Sequence, residues 1–221
     1  GDILGTNIWQ PQTGEFSLIK GPIFTQILLA DEINRAPPKT QAALLQAMEE
    51  RLITIEGETY KLDQPFMVLA TQNPIEQEGI YPLPEAQLDR FLMQVNIDYP
   101  ALDDEWKMLI ETTGSAEKIA AAVMTAEELL AAQQLVRNVP VGASVVKAIL
   151  ELVRSGRPQT SNIALVTENV SWGPGPRAGQ ALMLATRARA LLDGRISPSI
   201  DDVVALAPAV LRHRMNISFA A

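Results

Sequence analysis

Two adjacent carboxylates, Asp31 and Glu32, end the apolar run Ile27-Leu28-Leu29-Ala30. Such a run reads as a buried strand that delivers its acids to its C-terminal edge. Successive strand side chains diverge, so neighbouring acids can serve two partners. One can hold a divalent cation, directly or through its waters, beside phosphate oxygens; the other can polarise an attacking water. A bare Asp-Glu pair is also what a strand shows when it merely stops at a polar turn. A second apolar run, Phe66-Met67-Val68-Leu69-Ala70-Thr71, delivers Gln72-Asn73-Pro74 in the same manner. Asn73 taken alone is a turn residue. Two strands that both end in polar groups point further, because ligands of open α/β sheets collect at the carboxyl ends.

Two arginines complete the candidate set. Arg90 stands between a short helix, expected from Pro84 to near Asp89, and a strand expected over Phe91 to Ile97. Its planar, permanently charged fork suits phosphate oxygens, whereas an exposed ion pair with Asp89 or Glu85 is the plainer account. Arg177 follows Gly173-Pro174-Gly175-Pro176 on the first turn of a helix expected from Arg177 to Leu192. A cation there opposes the helix dipole, so some anion should compensate it. A solvated arginine beside an acidic neighbour is the alternative.

The elements that must position these groups are legible as patterns. Pro37 and Pro38 suit a helix start, and Ala43, Leu44, Ala47 and Met48 form its apolar stripe. Leu52 to Leu62 reads as a hairpin with Glu56-Gly57-Glu58 at its tip. Asp2 to Pro22 reads as a small insertion whose arms flank Pro11-Gln12-Thr13-Gly14, with Trp9 packed on Phe16. Past Tyr99-Pro100-Ala101 the chain turns Ala- and Leu-rich. Helices are expected near Asp103–Thr112, Ala126–Arg137 (capped by Thr125) and Ser144–Arg154, with a last one after Ser199. Gly156 to Val170 reads as an irregular connection, and Arg187, Arg189 and Arg195 as surface residues.

Composition narrows the classes. The 221 residues carry 18 basic and 26 acidic side chains, a net charge of −8, which opposes non-specific nucleic-acid binding. Cysteine is absent, excluding thiolate metal sites and fitting a reducing cytoplasm; the single histidine, His213, excludes a multi-histidine centre and reads as a surface or packing residue. No apolar run approaches the ~20 residues of a membrane span, and no signal peptide is expected at the start.

Asp31-Glu32-Ile33-Asn34-Arg35-Ala36-Pro37-Pro38-Lys39-Thr40-Gln41 closely resembles the Walker B segment of the MoxR family of AAA+ ATPases. Ile75 to Phe91, Gly173 to Ala178 and Leu206 to Arg214 match the same family. Asp2 to Thr6 and Gly21 to Phe24 resemble its insertion into the second core helix. The resemblance implies an α/β fold: a partial P-loop-type, three-layer core with a parallel sheet over residues 1–100, then an all-helical lid over 101–221. It implies ATP and Mg²⁺ as cofactors, with Asp31 holding the metal and Glu32 orienting or deprotonating water. Asn73 would be the first sensor, Arg90 an arginine finger acting in the neighbouring subunit, and Arg177 the second sensor reaching the γ-phosphate from the lid. A cytoplasmic, hexameric, chaperone-like remodeller is implied, working with von Willebrand factor A domain proteins and not with nucleic acid. A nucleic-acid motor is the alternative; the acidic balance and the Glu56/Glu58 tip count against it. No Gly-x-x-x-x-Gly-Lys-Ser/Thr occurs, so the chain reads as a fragment without the phosphate loop, inactive alone.

Overall fold

The computed structural model describes residues 3–12, 14–73, 80–114 and 120–218. Asp2, Thr13 and the motif residues Pro74 to Gly79 lie outside them. The chain opens with an antiparallel hairpin, β1 (Gly5–Gln10) on β2 (Glu15–Lys20), where Trp9 and Phe16 stack edge to face at 5.1 Å. Gly5 closes its base with φ +107°, and a Cβ there would lie 2.1 Å from the Ile19 carbonyl oxygen. No other residue type fits. β3 (Ile27–Ala30) follows, then a tight turn over Ile33–Arg35 and α1 (Pro38–Glu50), which starts at its proline as expected. Leu44, Leu45 and Ala47 bury one face of α1 in a core with Ile23, Leu28, Ile33, Ile53 and Leu62.

The hairpin of β4 (Leu52–Ile55) and β5 (Glu58–Lys61) forms as read, and β6 (Met67–Ala70) returns parallel to β3 with Ala30 opposite Ala70. The tip of this hairpin is tied to the first one, Asn7 Nδ2 donating to Glu56 at 2.6 Å. A short helix, α2 (Glu85–Leu88), precedes Arg90.

The C-terminal part comprises α3 (Leu102–Thr112), α4 (Ala126–Asn138), α5 (Ala143–Ser155), α6 (Ala164–Asn169), α7 (Pro176–Leu192) and α8 (Ile200–Leu211). Thr125 and Glu128 form a reciprocal capping box on α4. Val145, Ile149, Ala181, Leu182, Val203 and Val210 make a second core between α5, α7 and α8. The connection expected to be irregular contains α6 and β7 (Val170–Trp172), which pairs with β8 (Asn216–Ile217), so the lid carries one small ladder beside its helices. Arg195 and Arg189 lie at the surface as read but hold a buried acid: both terminal nitrogens of Arg195 bond the Asp202 carboxylate, at 2.7 and 2.6 Å, and Arg189 meets it at 3.1 Å. Arg187 is half-buried.

Phe91 to Ile97 is not a strand. Its first half is committed elsewhere: the Phe91 and Leu92 carbonyls accept from the Arg214 guanidinium, Phe91 O also from His213, and Gln94 N–H donates to Ala209 O. Polar backbone satisfied by the lid has no need of a neighbouring strand.

Candidate functional site

The register of β3 on β6 sets the acid pair against Thr71. The Thr71 hydroxyl donates to Asp31 Oδ1 at 2.6 Å and accepts from the Glu32 N–H at 2.8 Å. Glu32 sits at φ 49°, ψ 53°, a left-handed conformation that non-glycine residues adopt rarely and often at functional sites. Its carboxylate meets Arg35 at 3.3 Å, both partly exposed, a contact weak enough to yield to a ligand. Buried Asn34 donates to Asn73 O at 3.1 Å, and buried Gln41 bridges Ile33 O and Tyr81 O. Asp31, Glu32 and Asn73 thus gather at the carboxyl edge of the parallel pair.

Arg90 and Arg177 gather elsewhere. Arg90 Nη1 lies 2.8 Å from Glu49 Oε2 and donates to Leu45 O at 3.1 Å; Arg177 Nη2 donates to Glu49 Oε1 at 2.5 Å. They line a cleft of about 230 Å³ with Met48, Asp89, Gln180 and Arg214. Asp31, Glu32 and Asn73 do not line it. Arg214 is buried and bonds Asp89 Oδ1 at 2.7 Å, which fixes the turn bearing Arg90. Burial lowers the Arg214 pKa from its ordinary value, and the Asp89 carboxylate opposes that shift. The sequence reading missed Thr71, Glu49 and Arg214, and it offered Asp89 or Glu85 as the partner of Arg90, whereas Arg90 pairs with Glu49 and Asp89 with Arg214. A signal for Glu49 existed: it is an acid on the last turn of α1, where the dipole disfavours it.

Among the described residues no cluster of three or more histidine, aspartate or glutamate side chains could cage a metal. Mg²⁺ needs no such cage: it keeps several waters and takes one or two carboxylates plus substrate phosphates. Exposed Asp31, oriented by Thr71, supplies a donor of that kind.

Residues 1–93 match the family model of the ATPase family associated with various cellular activities (AAA), and residues 163–221 that of the AAA lid domain. Chaperone MoxR1 of Mycobacterium tuberculosis is 41% identical over 221 residues, all of this chain and 58% of that protein. The chain belongs to the MoxR family of AAA+ ATPases. Uncharacterized protein YeaC of Bacillus subtilis is 43% identical over 217 residues, 98% of this chain and 65% of its own. A crystal structure of a candidate ATPase from Cytophaga hutchinsonii superposes with a TM-score of 0.90 at 36% identity, covering 100% of this chain and 67% of that one. The AAA+ fold read from the sequence is therefore the fold observed. This MoxR-family chain spans 58 and 65% of the length of those two curated relatives. No helix among its described residues is long and apolar enough to cross a membrane.

Proposed function

We propose that the protein is a cytoplasmic, Mg²⁺-dependent ATPase. It works as a hexameric ring that couples turnover to chaperone-like remodelling of partner proteins, von Willebrand factor A domain proteins among them. In this reading residues 1–100 form the α/β core module and 101–221 the lid. One observation carries it: the acid pair and the arginine pair occupy opposite ends of α1. Pro38 begins the helix beside the acids and Glu49 ends it beside the arginines, roughly 16 Å apart by helical rise. Neither pair reaches across that span to one phosphate, so two half-sites fit two subunits.

Asp31 would hold Mg²⁺, which would supply charge neutralisation at the phosphates. Glu32, freed from Arg35, accepts the proton of the attacking water. Asn73 hydrogen-bonds that water or the γ-phosphate. Arg90 and Arg177 reach together into the nucleotide site of the next subunit, where their planar forks steady charge on the transferred phosphoryl group. Arg177 then reports on the neighbour's nucleotide instead of closing over its own. Both sides of each interface touch the phosphates, so hydrolysis becomes subunit motion.

The test uses the full-length protein. Glu32→Gln keeps shape and removes the base, so hydrolysis is expected to fall about a hundredfold or more while ATP binding, measured by calorimetry, persists. Wild-type turnover by that variant removes Glu32 from the mechanism.

A further inference from the structure

Among the described residues, Glu49 is the one acid that touches both arginines. Its Oε2 takes Arg90 and its Oε1 takes Arg177, while Leu45 O, one turn earlier on α1, takes Arg90 a second time. Each partner is wrong-signed for its own helix: Glu49 sits at the negative end of α1, and Arg177 on the first turn of α7, the positive end. Together they cancel what each helix disfavours. Stability does not explain the arrangement. The three side chains are 32 to 44% exposed, and ion pairs that wet contribute little. The remaining nitrogens of both forks, Nε and Nη2 of Arg90 and Nε and Nη1 of Arg177, hold no partner among the described residues. Two cations on one anion leave a positive charge at the cleft. Without the shared carboxylate, the guanidinium groups would repel and part.

We propose that Glu49 is a positioning residue: it holds Arg90 and Arg177 as one unit, spare donors outward, so that both meet the same phosphate across the subunit interface. This rests on the interface reading above. It makes Glu49 part of the machinery although it touches no nucleotide.

The experiment is a mutant cycle in the full-length protein, with ATPase kinetics and ring assembly by sedimentation. Arg90→Ala and Arg177→Ala are expected to lose turnover. Glu49→Ala is expected to lower kcat about tenfold or more, with KM for ATP within about twofold and the ring intact. Glu49→Gln, which keeps the volume and one acceptor, should fall between it and wild type. In an Arg90→Ala, Arg177→Ala background, Glu49→Ala should cost nothing further, because its effect runs through those two residues. Three results overturn the proposal: unchanged kcat in both Glu49 variants, raised kcat, or a full additional loss in the double-arginine background. If Glu49→Ala does not assemble, Glu49→Gln decides by the same criteria; loss of assembly in both assigns Glu49 to structure and overturns the proposal as well. If Arg90→Ala and Arg177→Ala keep wild-type turnover, the interface reading itself has failed. If they lose it while the Glu49 variants do not, only the role of Glu49 falls.

Discussion

Asp202 shows how a single buried charge is made tolerable. Its carboxylate takes both terminal nitrogens of Arg195, the Arg189 guanidinium, and the Ser199 N–H that completes the cap of α8. The Arg195 bonds, and then the Ser199 N–H, hold its pKa well below the usual carboxylate range against the opposing pull of burial. Asp202→Asn removes the buried anion from two partly exposed arginines, of which Arg195 keeps Asp193, and is expected to destabilise the lid by about 2 kcal/mol in denaturant titration through the lost charge-assisted hydrogen bonds. The pH dependence has a definite sign. A depressed acid gives its full contribution above its unfolded value of about 3.9 and loses it as pH falls through the folded value, so this lid should hold through mild acid. The Asn variant should lack the loss in strong acid. The sequence showed a helix start after Ser199 but not the partner of Arg195, because that pairing depends on the turn through Gly194 (φ +72°), a matter of backbone geometry. Arg177 was the reverse case. Its sign at a helix start demanded an anion, and the anion is Glu49, 128 residues away.

At the scale of elements, the clasp between Arg212–Arg214 and the turn after α2 joins lid to core. The His213 Nε2 donates to Phe91 O at 3.0 Å, since a carbonyl only accepts; its buried Nδ1 therefore keeps a lone pair, without a partner among the described residues. Burial lowers the His213 pKa, neighbouring Arg214 adds to the shift, and the Phe91 carbonyl and Asp89 oppose it. A histidine kept neutral in the fold but free to protonate when unfolded costs stability as pH drops below about 6.5. Thermal melting of the full-length protein between pH 7.5 and 5 is expected to show that loss, and His213→Gln, which keeps a donor for Phe91 O, to flatten it. Equal slopes for both proteins remove His213 from the joint. Helices α1, α4, α5, α7 and α8 were readable because an apolar period follows a local start signal: a proline for α1 and α7, a capping box for α4 and α8, and Gly142 for α5. The expected strand at Phe91–Ile97 failed for a tertiary reason. An apolar run states what wants burial, and nothing local reports that an arginine 122 and 123 residues downstream takes the carbonyls of Leu92 and Phe91. The acid pair and Asn73 were legible because strand ends are local features; the pairing of Arg90 with Arg177 required the fold.

The whole molecule exposes more than a compact monomer should. A monomer of 24.1 kDa is expected to show about 10,000 Å² of accessible surface, whereas this chain shows 15,276 Å². The excess is apolar in defined places. Ile27 and Leu29 of β3 and Met67 and Leu69 of β6 are all exposed, the alternate residues that share one face of a parallel pair. Parallel sheets are ordinarily covered on both faces. On α3, Leu102, Trp106 and Leu109 recur at helical spacing, and no α3 residue is buried. Surfaces of this kind are built to be covered by further chain or by neighbouring subunits. A polypeptide of residues 1–221 alone is therefore expected to self-associate in light scattering and to bind a hydrophobic dye. Leu29→Lys with Leu69→Lys should reduce both, since the exposed sheet face is the flattest apolar element. The same polypeptide should bind ATP only weakly and only with Mg²⁺. Its sequence holds no phosphate-loop motif, the element whose N–H groups and lysine carry most of the phosphate contact in this fold class, and Asp31 and Glu32 repel phosphate unless a cation intervenes. Tight, Mg²⁺-independent ATP binding by these residues alone, measured by calorimetry, would require a second phosphate site in which neither acid takes part.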